Sequence, residues 1–238
     1  AVDANIVLTF NESVDAESGN ITLFKTGGAT AETIAVGSGL VSVSGNVVTI
    51  NPNSPLDSAQ GYYVQIAASG FDDVAGNSFA GINDATTLNF TAADVAGPTL
   101  SSSTPADNAT GVAVDANIVL TFDENVVAGS GNITLKKSSD NSTVETMAVD
   151  GANVSISGAA VTVNPTANLD SSQGYYLQIA ATAFDDASGN SYAGINDTTT
   201  LNFTAADVVG PTMVITSTTS GVSSGAATND STINLTFT

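Results

Sequence analysis

Carboxylates gather in a few short stretches of this chain, and those stretches are where chemistry could reside. Glu12, the pair Asp72-Asp73 and Asp84 return one repeat later as Asp123-Glu124, Asp185-Asp186 and Asp197. Asp94 and Asp207 each stand in an Ala-Ala-Asp-Val run just ahead of a Gly-Pro pair. Hard oxygen donors in this number suit Ca2+, which accepts about 6–8 oxygens in flexible geometry. The spacing is neither that of an EF-hand loop nor that of a calcium-binding nonapeptide repeat. A metal expectation therefore depends on which loops the fold brings together.

The residues that are missing exclude other chemistries. The chain has no Cys, no His, no Trp and no Arg, so thiol and imidazole nucleophile schemes and most zinc sites are ruled out. A glycosidase-like carboxylate pair, such as Glu12 with Asp72 or Asp73, is the remaining catalytic option. Without Trp, and with most Phe at inward strand positions, it has no aromatic platform for a sugar. The expectation is a non-enzyme. Twenty-three Asp and Glu against Lys25, Lys136 and Lys137 leave a formal charge of −20, which repels nucleic acid and anionic lipid. No apolar run reaches the length of a membrane helix. An extracellular or cell-surface setting fits this composition.

The elements that must position the acids repeat as well. Ala1–Phe10 returns letter for letter as Ala113–Phe122, and Phe71–Val95 returns almost unchanged as Phe184–Val208. The copies are about two-thirds identical, and such a domain-sized period signals modules in series. Runs such as Asn117–Phe122, Val161–Val163, Tyr175–Ile179 and Thr200–Thr204 mostly alternate apolar with polar residues, the period of a half-buried strand. Turn residues separate them (Gly129-Ser-Gly-Asn, Asp150-Gly, Ser188-Gly-Asn), and nothing repeats at helical spacing. About seven short strands in 100 residues are the arithmetic of an antiparallel sandwich. Leu56…Tyr62-Tyr-Val-Gln-Ile66, repeated at Leu169…Ile179, reads as a tyrosine corner with Tyr62 and Tyr175 facing inward. A ligand-stacking pair of tyrosines is the alternative.

Ser102–Val112 with its Pro-Ala-Asp-Asn-Ala-Thr-Gly core, then Asn117-Ile-Val-Leu-Thr-Phe-Asp-Glu124, Leu169…Tyr175-x-Leu177 and Asp186-x-x-Gly-Asn190, together resemble the bacterial Ig-like domain of the SbsA surface-layer type. The resemblance covers the second repeat, the first except its opening strand, and the stretch 211–238. It implies tandem immunoglobulin-like Greek-key β-sandwiches, an all-β fold used as a spacer in surface-layer proteins, large adhesins and exoenzymes. The implied division is 1–97, 98–210 and 211–238, the last holding the first strands of a third module. On this reading the chain is a window from a longer repetitive protein.

In such a sandwich the loop after the second strand and the loop before the last share a pole, where the preceding linker also arrives. This would gather Asp94, Asp123, Glu124, Asp185, Asp186 and Asp197 at one junction, with Glu12, Asp72, Asp73 and Asp84 at the first repeat's pole. Asp207 would serve the next junction as Asp94 serves this one. Two carboxylates ~4 Å apart repel by roughly 1 kcal/mol in water and about 4 kcal/mol at an effective dielectric of 20, which favours a counter-ion. The bland reading is that Asp-x-x-Gly-Asn is a hairpin turn, with Asp capping its own backbone and Gly-Asn at positive φ. The expected function is a structural stalk whose partners are neighbouring repeats. Two alternatives are a filament of identical chains joined by strand donation through tail strands 212–218 and 232–237, and a calcium-dependent carbohydrate-binding module.

Overall fold

The computed structural model describes residues 1–216 and 234–237. These form an all-β chain with two compact units, Ala1–Gly97 grouped with Asp186–Asn190, and Pro98–Asp185 grouped with the described residues from Ser191 on. The parts of the two tail strands at 217–218 and 232–233 lie outside the described residues.

The first unit contains β1 (Ile6–Thr9), β2 (Val14–Ala16), β3 (Asn20–Lys25), β4 (Thr30–Ala35) and β5 (Val41–Ser44). It continues with β6 (Val47–Ile50), β7 (Gly61–Ile66), β8 (Phe71–Asp73) and β9 (Asn89–Thr91). One layer runs β1-β6-β5, the other β4-β3-β7-β9, and β2 pairs with β8. The second unit opens with β10 (Leu100–Thr104) and β11 (Ala109–Val112), followed by β12 (Ile118–Phe122), β13 (Val127–Ala128), β14 (Asn132–Lys137) and β15 (Thr143–Ala148). Then come β16 (Val154–Ser157), β17 (Ala160–Val163), β18 (Gly174–Ile179), β19 (Phe184–Asp185) and β20 (Asn202–Ala205). Its layers are β10-β12-β17-β16 and β11-β20-β18-β14-β15, with β11 parallel to β20. Strands remote in sequence lie side by side in both layers, as a Greek-key sandwich requires. Past it, β21 (Met213–Thr216) and β22 (Asn234–Phe237) pair antiparallel as a two-stranded sheet.

Alternation explains the core. In β12 the inward Ile118, Leu120 and Phe122 are buried, and in β18 so are Tyr175, Leu177 and Ile179. Burying an aliphatic or aromatic side chain of this size contributes roughly 1.5–3 kcal/mol. Phe122 centres an aromatic group, with ring centroids 5.3 Å from Phe184 and 5.2 Å from Tyr192. Phe10 does the same against Phe71 and Phe79 at 5.5 and 5.3 Å.

Both tyrosine corners are formed. Tyr62 Oη accepts the Asp57 N–H at 2.9 Å, and Tyr175 Oη accepts the Asp170 N–H at 2.7 Å. The same aspartates bind lysines, Lys25–Asp57 at 2.5 Å and Lys137–Asp170 at 2.7 Å. The neighbouring rings also have internal partners: Tyr63 stacks on Phe24 at 4.9 Å, and Tyr176 Oη donates to Asn141 Oδ1 at 3.1 Å.

The units differ at one edge. In the second, β10 lies along β12 and β11 along β20, and Leu120 and Phe203 are 0% and 2% exposed. In the first, β1 and β9 end their layers, and the equivalent Leu8 and Phe90 are only partly buried.

Removing the corner hydroxyl with Tyr175→Phe leaves the Asp170 N–H without its acceptor. The expected cost is about 1 kcal/mol, read as a lower urea midpoint at unchanged slope. Equal midpoints would show that the hydroxyl adds nothing to the ring's packing.

Candidate functional site

In the second unit the acidic loops are placed by β13 and β19. Their antiparallel register sets Val127 opposite Asp185 and Ala128 opposite Phe184. The chain entering β13 through Asp123-Glu124 therefore runs toward the end where β19 leaves into Asp186. In the first unit the corresponding pair sets Val14 opposite Asp73 and Asp15 opposite Asp72, which carries the exposed Glu12 toward the same end of that module.

Most of these carboxylates already have neutral hydrogen-bond donors. Asp123 clasps the start of β10: its Oδ1 accepts the Thr99 N–H and its Oδ2 the Thr99 hydroxyl, each at 2.7 Å. These bonds hold its carboxyl below the usual carboxylate range. Asp186 is 2% exposed. Burial alone would raise its carboxyl, but bonds from the Asn190 side chain (2.7 Å), the Asn190 N–H (2.8 Å) and the Ser188 N–H (2.8 Å) outweigh it and keep the group ionised. Asp73 has the same arrangement with Asn77. Asp185 Oδ1 accepts the Ser191 hydroxyl at 2.5 Å.

Asp84 and Asp197 form self-contained turns. Asp197 accepts the Thr199 and Thr200 N–H groups, both at 2.7 Å, and both threonine hydroxyls. Asp84 repeats the set with Thr86 and Thr87. With the threonine bonds as the main cause, both carboxyls sit far below the ordinary range. Four donors surround each charge.

Asp94 and Asp207 tie each linker to its own module. Asp94 Oδ1 accepts the Ser58 hydroxyl at 2.8 Å, and Ser58 Oγ accepts the Val95 N–H at 2.8 Å. Asp207 uses Ser171 and the Val209 N–H, both at 3.0 Å, and its carboxyl is lowered chiefly by the Val209 bond. Ser58 and Ser171 belong to the tyrosine-corner loops, so each linker departs from that loop.

The turn reading of Asp-x-x-Gly-Asn needs one correction. Gly76 and Gly189 take positive φ (85° and 87°), as only glycine does cheaply, but Asn77 and Asn190 do not. Each Asn instead closes the turn through its hydrogen bonds to Asp73 or Asp186. Local sequence reading also missed Asp15. It lies directly across from Asp72, whose Oδ1 is buried with no hydrogen-bond partner. The second unit has Val127 at the position of Asp15, and that difference between the copies was the available signal. The paired recurrence of Lys25/Asp57 and Lys137/Asp170 was a comparable clue to the ion pairs.

A family model described as a bacterial Ig-like domain matches residues 1–92 and 94–205. No curated protein matches the chain significantly. Among solved structures, a biofilm associated protein BSP domain is 18% identical, with a TM-score of 0.23, over 85% of this chain and 29% of that one. Extracellular domains 3–5 of Drosophila OTK are 12% identical, with a TM-score of 0.25, over 88% of this chain and 62% of that one. The chain thus spans less than two thirds of either protein.

Asp197→Asn should be destabilising at neutral pH, and the deficit should close as pH falls. A carboxyl lowered in the folded state adds stability above its unfolded pKa of about 3.9 and loses it as pH drops through the folded value. Melting curves of both proteins between neutral and strongly acid pH check this; a constant gap would mean that the carboxylate charge is irrelevant. Asp15→Val, which copies the second unit, should stabilise the first by roughly 0.2–1 kcal/mol in metal-free buffer by removing a like-charge pair. A lower melting temperature in chelator would refute that account.

Proposed function

Because the chain belongs to the bacterial Ig-like domain family, we propose that it is a stretch of extracellular stalk in a large cell-surface repeat protein of the adhesin or surface-layer kind, with joints stiffened by Ca2+. The observation that carries the reading is the duplication of a whole mechanical unit. Sandwich, tyrosine corner and linker clamp recur together, with Asp94–Ser58 in the first copy and Asp207–Ser171 in the second. A catalytic or recognition module would be expected to vary its loops and preserve one centre. Here the loops and the linker are copied with the core, as suits a spacer that works by repetition. Its partners on this reading are neighbouring repeats, and its task is to hold distance between a surface and whatever lies beyond it.

The acid surplus supports the calcium reading. The second unit's register brings the Asp123-Glu124 and Asp185-Asp186 loops to one end, and Asp186 is both buried and held ionised. The chain has 23 acids and three lysines, and two of those lysines are paired with Asp57 and Asp170. Extracellular modules bind Ca2+ at about 10⁻⁴–10⁻³ M, which suits a site saturated outside cells.

Thermal unfolding and small-angle scattering in CaCl2, MgCl2 and chelator test the reading. Calcium alone should stabilise by about 1–3 kcal/mol when free ion exceeds Kd ten- to a hundredfold, and should lengthen the particle. Glu124→Gln with Asp186→Asn should abolish the calcium-specific difference. Identical melting and shape in all three buffers would remove the ion from the mechanism and leave a plain spacer.

A further inference from the structure

Residues 99–112 cross the second unit from one pole to the other and change layers on the way. β10 runs antiparallel along β12, with Leu100 opposite Phe122 and Thr104 opposite Val119. β11 then runs parallel to β20, with Ala109 opposite Phe203 and Val112 opposite Ala205. Thr99 therefore lies at the Phe122 end of β12, while the turn after Val112 leads back into its Ile118 end. The chain leaves the module beside Val112, since Ala206 donates its N–H to the Val112 carbonyl at 2.7 Å. Entry and exit are thus at opposite poles of the unit.

That placement fixes how tension acts. A pull along the chain draws β11 toward the entry pole and β20 toward the exit pole, so the parallel pair is loaded along its length. β10 is drawn along β12 in the same way. Bonds strained lengthwise must give way together, whereas a ladder peeled from one end loses them one at a time. Burial opposes sliding as well. A slip of one residue would turn Val112, 9% exposed, and the core-packed Leu100 away from the interior.

Side chains pin the segment at two further points. At the entry, Thr99 gives both its N–H and its hydroxyl to Asp123. At the change of layer, Asp107 Oδ1 accepts the Asn202 N–H at 3.0 Å and Asn202 Nδ2 at 2.9 Å. Its Oδ2 accepts Asn108 Nδ2 at 2.6 Å, and the Asn108 N–H bonds the Asn202 carbonyl at 2.7 Å. One exposed aspartate so ties the entering segment to the strand that leaves.

We propose that residues 99–112 are the load-bearing clamp of the module, sheared as a block against β12 and β20, with Asp107 as the latch. The proposal rests on the stalk reading for the origin of the load, and it needs no calcium.

Single-molecule pulling of the full chain in chelator tests this, because a chain without cysteine accepts handles at chosen pairs. Ala96→Cys with Gly210→Cys loads the clamp lengthwise, and Ala96→Cys with Asn125→Cys peels β10 from β12. Forced unfolding is governed by the unfolding rate, so the readout is the lifetime to first rupture at constant force. The lengthwise pull should outlast the peeling pull. Asp107→Ala and Ala206→Pro should each shorten the lengthwise lifetime about three- to tenfold and leave the peeling lifetime unchanged. Val154→Ala, in the opposite edge strand β16, should lower the melting temperature without that loss. Equal lifetimes in the two geometries overturn the proposal, as does a lengthwise lifetime unmoved by both clamp variants. Either result leaves the stalk reading standing, since a spacer need carry no tension; that reading is decided by melting and scattering.

Discussion

A chain with 23 acidic residues and three lysines must hold its carboxylates with neutral donors or with recruited cations, and the loop structure follows from that constraint. Threonine, serine and asparagine recur beside aspartate because each supplies a donor within a few residues. Asp197 gathers four such bonds, and Asp186 remains ionised at 2% exposure because Asn190 and Ser188 close around it. Hydrogen bonds to a charged acceptor are about twice as strong as neutral ones, so a Thr-Thr or Gly-Asn pair can replace the missing arginines. Two of the three lysines are placed at the tyrosine corners, where the backbone is already fixed.

The two units amount to an internal comparison of one sequence with and without a cover. The same Leu-Thr-Phe strand lies deep in the core where β10 and β11 flank the layers, and only partly buried where they do not. Yet the first unit keeps its layers, its corner and its aromatic group around Phe10. The inner strands and the tyrosine corner thus take the same arrangement in both units, and in the second the opening segment lies along the edge.

Much of this was legible in the sequence, for a physical reason. Alternation at Tyr175, Leu177 and Ile179 reports burial directly, and a module that repeats must bury the same face twice. The tyrosine corner was legible because its partners lie five residues apart. What could not be read from local sequence is cross-strand register. That Asp15 faces Asp72, or that Asp123 spends both oxygens on Thr99, depends on pairings between distant segments. Composition counts the charges of the acidic loops but not the donors beside them. Asp84 and Asp197 show the difference, since their threonines are two and three residues away and were read as strand composition.

The linker clamps bear on the mechanical argument most directly. Asp94 and Ser58 hold the chain through the Val95 and Ala96 N–H groups, and Asp123 takes it up again at Thr99. Between these anchors lie Gly97 and Pro98. A glycine there is conformationally permissive while proline fixes its own φ, so the stretch between the clamps has very few free torsions. A long flexible linker would place many rotatable bonds in the same stretch. The clamp, copied at Asp207 and Ser171, is thus part of the repeated unit rather than a feature of one linker.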